Sequence, residues 1–177
     1  MNGNIKLKTL ITEKQIKQRV AALSREISAH YSGETLMIVG LLNGSFIFLA
    51  DLVRQLNQYK LHLIVDFMRI YSYGSNTVTS GKPTLCQDVT IDVKGRHILI
   101  VDDILDTGHT IEYVIQYLSA FKPLSLRSCV CLDKTGRRQA NVQADYVGFT
   151  IPDVFVVGYG LDYDGRFREI PDISILS

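Results

Sequence analysis

The sequence predicts an α/β fold: a mostly parallel, twisted sheet flanked by helices. Two observations carry that expectation. Short apolar runs alternate with stretches whose apolar residues recur at helical spacing, the pattern of strands joined by crossover helices. In addition, Ile98-Leu99-Ile100-Val101 runs through Asp102-Asp103 into Asp106-Thr107-Gly108-His109-Thr110 before a helical pattern opens at Ile111, which reads as a strand-to-helix junction. The 177 residues suffice for a substantial core. No linker, repeat or low-complexity tract divides them, so one domain over 1–177 is expected.

Thr12 and Gln15 form a capping box, and Ile16, Val20, Leu23 and Ile27 continue at helical spacing to about Ser32-Gly33. Leu36 to Leu41 reads as a buried strand. Asn43-Gly44-Ser45 turns into a helix through Phe46, Leu49, Val53 and Leu56, and Leu61 to Ile70 is a strand. Residues 71–86 are polar and aperiodic, the pattern of a lid or an insertion. Strands are expected again at Val89–Val93 and Ile98–Val101, and a helix at Ile111–Phe121, stopped by Lys122-Pro123. Further strands follow at Leu126–Leu132, Tyr146–Thr150 and Phe155–Gly158. In such sheets ligands bind at the carboxyl ends of the strands.

Composition narrows the function. A net charge of +1 argues against electrostatic gripping of nucleic acid. No apolar run approaches the roughly 20 residues of a membrane span, and the polar start Met1–Lys8 lacks a signal-peptide core. Three cysteines without CxxC spacing suggest a reducing cytoplasm, and Cys129 and Cys131, two apart in an apparent strand, read as small buried thiols. His30, His62, His97 and His109 show no ligand spacing, so zinc is not expected. Gly81-Lys82 is followed by Pro83, which removes the Walker-type reading.

The junction after Val101 suits a sugar phosphate. Backbone N–H groups and the positive end of a helix dipole converge there. Thr107 and Thr110 add hydroxyls, and Gly108 permits close approach. Asp102 and Asp103 cannot face the same anion, so they are expected to hold sugar hydroxyls or a metal.

This segment resembles the phosphoribosyl-diphosphate (PRPP) signature of the type I phosphoribosyltransferases. Four further stretches narrow the resemblance to the hypoxanthine-guanine phosphoribosyltransferases. They are Val39-Gly40-Leu41-Leu42-Asn43-Gly44-Ser45-Phe46, Val65-Asp66-Phe67-Met68 with Ser72-Tyr73-Gly74, Leu132-Asp133-Lys134, and the run from Gly148 to Tyr163. The resemblance spans about residues 10–170. It implies that family's fold, with a small hood and a mobile loop containing Ser72 and Tyr73. It also implies purine salvage, in which PRPP and hypoxanthine or guanine give IMP or GMP and pyrophosphate.

By the same resemblance Asp106, Thr107, Gly108, His109 and Thr110 would bind the 5′-phosphate. Asp102 and Asp103 would hold ribose hydroxyls and Mg²⁺. Asp106 would also take the purine N7 proton, although an Asp here could equally cap the helix. Lys134 would contact the 6-oxo oxygen, an acceptor that a cation favours over adenine's amino group. Phe155 would stack on the base and the Val156 backbone would reach its edge. Asp162 would serve the base pocket and a second Mg²⁺, Arg168 the leaving pyrophosphate, and Arg138 would be a weaker phosphate contact. Asn43 and Gly44 would contact pyrophosphate across a peptide that is often cis in the family. A homodimer or homotetramer is implied. The competing reading is a nucleotide-sensing regulator of the same fold, against which the acid at 106 speaks.

The chain departs from the resemblance at Asn43, where Lys or Arg is usual. A neutral donor forfeits the charge-assisted part of a phosphate hydrogen bond. Asn43→Lys is therefore expected to lower the KM for PRPP about fivefold, measured by initial rates at saturating base; an unchanged KM would count against this role.

Overall fold

The computed structural model describes residues 6–71 and 83–176. Strands β2 (Thr35–Leu42), β3 (His62–Tyr71), β4 (Thr84–Gln87), β5 (His97–Leu105), β6 (Ser125–Asp133) and β7 (Tyr146–Thr150) form a sheet of order β4-β3-β2-β5-β6-β7. All neighbours pair parallel except β3 and β4. The most apolar strands, β2 and β5, occupy the middle, where both faces are covered.

Helices α1 (Glu13–His30) and α2 (Phe46–Leu56) cover one face, and α3 (His109–Ser119) covers the other. Alternation along the strands divides their side chains between the two cores. Ile38, Leu99 and Val101 face α1 and α2, whereas Met37, Val39, Ile98 and Ile100 face α3. The first helix starts at the expected capping box, with the Thr12 N–H donating to Gln15 Oε1 at 2.9 Å. It buries Ile16, Val20, Leu23 and Ile27. Its Arg19 donates to the carbonyl oxygens of Gly148 (2.9 Å) and Val147 (2.7 Å), occupying acceptors on edge strand β7. Cys129 and Cys131 lie buried on one face of β6 as free thiols, and burial pushes both thiols up.

The expected hood is a separate antiparallel sheet of order β1-β9-β8, from β1 (Leu7–Ile11), β8 (Val156–Val157) and β9 (Ile173–Leu176). Ile11, Val156 and Ile173 join the same core as α1 and α2.

Several boundaries differ from the sequence expectation. β5 continues to Leu105, so Asp102 and Asp103 lie within the strand. Residues 84–86, expected in the aperiodic stretch, belong with Gln87 to β4, which pairs antiparallel with β3. The strand expected at Phe155–Gly158 shortens to two residues and belongs to the hood. No strand forms at Val89–Val93, because its backbone donors are captured by Asp66. Asp66 Oδ2 accepts from the N–H groups of Thr90 (2.6 Å) and Ile91 (3.0 Å) and from the Thr90 hydroxyl (3.1 Å), and Oδ1 accepts from Phe67 N (2.8 Å). An apolar pattern signals burial, here of Val93, and cannot reveal where the backbone donors go.

Burial alone would raise the Asp66 pKa, but the hydrogen bonds from Phe67, Thr90 and Ile91 outweigh it and hold the carboxyl below its ordinary value. A pKa lowered by folding stabilises above the unfolded value and loses that contribution as pH falls through the folded one. Asp66→Asn should therefore cost about 1–3 kcal/mol at pH 7. In urea unfolding, the gap from wild type should narrow below about pH 4.

Candidate active site

The carboxyl ends of β2 and β5 and the start of α3 enclose a cavity of about 580 Å³. Asp102 to Ile111 form one wall and Leu41 to Gly44 another. Asp102, Asp103, Asp106, Thr107, Gly108, His109, Thr110, Asn43 and Gly44 thus converge as the sequence predicts. Ser72 and Tyr73 lie outside the described residues.

The turn 106–110 is formed by backbone. Gly108 adopts φ +94° and occupies the N-cap position of α3, a left-handed conformation that favours glycine. Asp106 is therefore not spent on capping, contrary to that reading of it. The loop is braced from behind: the Thr107 carbonyl accepts from the N–H groups of Gln139 (2.9 Å) and Ala140 (3.0 Å). His109 Nε2 lies 3.1 Å from Gln139 Oε1. A Cβ on Gly108 would lie 2.8 Å from Val142 and 3.1 Å from Ala140 and Arg138 side-chain atoms, so the brace packs directly against the turn.

Asp102 and Asp103 each turn one oxygen back onto the following backbone N–H, at 3.0 Å to Asp103 N and 2.7 Å to Ile104 N. Burial, then the adjacent Asp103 charge, pushes Asp102 well above the carboxylate range. Burial also raises Asp103, partly offset by hydrogen bonds from Asp102 and Ile104 and by the Arg168 charge. Two buried like charges favour a shared proton or a cation.

The β2–α2 loop abuts this pair through a cis peptide between Leu42 and Asn43. A Cβ on Gly44 would sit 1.5 Å from Asp103 Oδ2. The hood approaches the same loop from outside. Gly160, at φ +100°, lies so close that a Cβ there would meet the Gly44 carbonyl at 2.1 Å. Arg168 donates to the Gly160 carbonyl (2.5 Å) and pairs with Asp162 (2.7 Å), while the other Asp162 oxygen accepts from Gly165 N (2.8 Å). Arg168 and Asp162, predicted separately, are thus partners. Tyr159, buried, donates to Asp51 Oδ2 of α2 at 2.8 Å. The sequence reading missed this anchor, because an apolar context makes Tyr159 look like core and Asp51 like helix surface.

Of the residues expected around a base, Lys134 is bonded to the segment before the turn, and none of Lys134, Phe155, Val156 and Asp162 lines the cavity. Lys134 is buried at the end of β6, and its N–H donates to the Leu105 carbonyl at 3.0 Å. Its Nζ lies 3.9 Å from Asp153. Arg138 is turned inward, paired with Asp133, and its Nη1 is buried without a hydrogen-bond partner among the described residues; its stem underlies Gly108 rather than the cavity. Phe155 is 52% exposed and meets Tyr163 edge-on at 5.8 Å between centroids, which leaves ring surface for stacking. Val156 is buried in β8. Arg137 and Asp153 were not singled out from sequence, since charged loop residues read as solvated.

The contact at Gly44 has a measurable consequence. Gly44→Ala forces Asp103 or the loop to move, and overpacking of this kind costs about 1–3 kcal/mol. Urea unfolding should show that loss; a stability equal to wild type would mean that the Asp103 carboxylate swings away freely.

The family model for the phosphoribosyl transferase domain matches residues 7–164. The chain is 46% identical over 172 residues to the hypoxanthine-guanine phosphoribosyltransferase of Aquifex aeolicus, covering 97% of this chain and 95% of that one. It is 44% identical over 170 residues to the hypoxanthine phosphoribosyltransferase of Escherichia coli, covering 95% and 94%. Its fold is similar to a crystal structure of a Bacillus anthracis hypoxanthine-guanine phosphoribosyltransferase, with TM-score 0.90, 36% identity and coverage of 98% and 100%. It is likewise similar to a Trypanosoma cruzi hypoxanthine phosphoribosyl transferase, with TM-score 0.91, 35% identity and coverage of 100% and 94%. The chain therefore belongs to the phosphoribosyltransferase family, among its hypoxanthine-guanine members.

Proposed function

We propose that this protein, as a single domain, transfers the 5-phosphoribosyl group of PRPP to hypoxanthine or guanine, releasing pyrophosphate and forming IMP or GMP for purine salvage. The observation that carries the reading is the shared cavity, which joins the phosphate turn 106–110, the Asp102–Asp103 pair and the Asn43–Gly44 loop. Relatives named for this reaction, matched over nearly their whole length, support it.

The N–H groups at the start of α3, with Thr107 and Thr110, bind the 5′-phosphate. Asp102 and Asp103 hold the ribose hydroxyls and Mg²⁺. The donor set fits that ion: both carboxylates are hard oxygen ligands, and their burial leaves charge to be neutralised. Two carboxylates alone would leave places on such an ion for substrate oxygens and water. When bound, the ion supplies charge neutralisation for the pyrophosphate. Asp162 is the proposed site of a second Mg²⁺, and Arg168 beside it stabilises the leaving group.

A purine ring nitrogen attacks the anomeric carbon as the bond to pyrophosphate breaks, through an oxocarbenium-like state. Asp106 takes the N7 proton; it lines the cavity with its side chain 32% exposed. Lys134 donates to the 6-oxo oxygen, Phe155 stacks on the ring and the Val156 backbone meets its edge. Ser72 and Tyr73 are assigned to a closing loop that excludes water. We further propose a homodimer or homotetramer in the cytoplasm. The T. cruzi relative was studied for the role of its C-terminal region in oligomeric state. Among the described residues no helix is long and apolar enough to cross a membrane.

Incubation with PRPP, Mg²⁺ and each of hypoxanthine, guanine, xanthine, adenine and uracil tests the reading. Nucleotide should form with the 6-oxopurines and not with adenine or uracil. Asp106→Asn should lower kcat about 10²–10⁴-fold while PRPP binding by calorimetry is retained. Turnover of adenine or uracil in preference would overturn the role of Lys134, and nucleotide binding without turnover would favour a sensor.

A further inference from the structure

Four charged side chains form an alternating string on the base side of the site. Lys134 Nζ lies 3.9 Å from Asp153 Oδ1, Asp153 Oδ1 lies 3.8 Å from Arg137 Nη1, and Arg137 Nε lies 3.5 Å from Asp106 Oδ1. Its ends are the two groups placed against the purine, the donor to the 6-oxo oxygen and the acceptor of the N7 proton.

The backbone holds the middle of this string over Asp106. Arg137 ends a single turn of 3-10 helix, Thr135–Arg137. Lys134 N, just before that turn, donates to the Leu105 carbonyl. Gln139 N and Ala140 N, just after it, donate to the Thr107 carbonyl. The residues bracketing Arg137 are thus bonded to the two residues flanking Asp106, which fixes guanidinium and carboxylate relative to each other. The neighbouring groups are otherwise engaged: Arg138 with Asp133, and His109 with Gln139. At 3.5 Å the Arg137 contact is an ion pair and not a hydrogen bond, and Asp106 Oδ1 has no hydrogen-bond partner among the described residues. The cation thus faces the buried Oδ1, while about a third of the Asp106 side chain, 32%, stays exposed.

We propose that Arg137 is a positioning residue for the base. It holds the Asp106 carboxylate in place through Oδ1 and, through Asp153, sets the distance between Asp106 and Lys134, so that one purine meets both. The ligand chemistry is a planar base with an acceptor and an N–H on one edge, and the proposal rests on the function assigned above.

Steady-state kinetics with hypoxanthine and PRPP varied separately test it in wild type, Arg137→Gln, Arg137→Lys, Asp153→Asn and the Arg137→Gln/Asp153→Asn double variant. Arg137→Gln should raise the KM for hypoxanthine roughly two- to fivefold, the worth of a half-exposed ion pair, and lower kcat similarly, leaving the KM for PRPP unchanged. Arg137→Lys, which keeps the charge without the fork, should recover part of the loss. The double variant should be no worse than the worse single one, because both cut the same string. An unchanged hypoxanthine KM in Arg137→Gln, equal rises in both KM values with a lower melting temperature, or additive effects in the double variant would overturn the proposal. Should Arg137→Gln fail to fold, an unchanged hypoxanthine KM in Asp153→Asn would overturn it alone. Wild-type protein inactive on every 6-oxopurine would instead overturn the assigned function.

Discussion

Two carboxylates side by side in a central strand, Asp102 buried and Asp103 half-buried, are the constraint on which the site depends. Asp102 and Asp103 continue β5 beyond its apolar run, where pairing with β2 has ended at Val101 and β6 alone fixes the backbone, Asp102 opposite Val130 and Ile104 opposite Leu132. Burial disfavours their charge, and the Arg168 cation beside Asp103 offsets only part of that penalty. The protein thus maintains an electrostatic deficit, and a polyhydroxyl ligand with a divalent cation would relieve it. Such a site is stabilised by what binds to it and is costly when empty.

Rigid surroundings keep that deficit in place. Gly44 leaves no room between the β2–α2 loop and Asp103, and Gly160 brings the hood onto the Gly44 carbonyl. Tyr159, reaching Asp51, fastens the hood to the helix that follows the same loop. Movement of the hood relative to α2 would therefore displace the groups assigned to pyrophosphate. On the opposite side, residues 134–140 brace the phosphate turn through the Leu105 and Thr107 carbonyls. One backbone network consequently positions both the turn assigned to the 5′-phosphate and Lys134, which is assigned to the base.

Much of this was legible in the chain because the relevant signals are local. The capping box at Thr12, the helical spacing of Ile16 to Ile27 and the turn Asp106–Thr110 each lie within a few residues, where steric preferences and hydrogen-bond reach act directly. The misreadings at Val89–Val93 and Phe155–Gly158 share a different origin. Apolar periodicity reports burial, but strand pairing needs free backbone donors, and Asp66, more than 20 residues upstream, had taken those of Thr90 and Ile91. For Phe155–Gly158 the sheet to which the segment belongs depends on a partner, β9, near the end of the chain.

By itself the sequence determined the central strands and the three helices, the turn 106–110 and the acids before it, since each follows from residue type and short spacing. Only the tertiary structure decided that Arg168 pairs with Asp162, that Tyr159 anchors the hood, and that Arg137 stands between Asp106 and Asp153. These contacts join segments whose separation along the chain carries no periodicity. A lone charge or aromatic in a loop has the same local pattern whether it is solvated or held against a distant carboxylate, and only packing in three dimensions distinguishes the two.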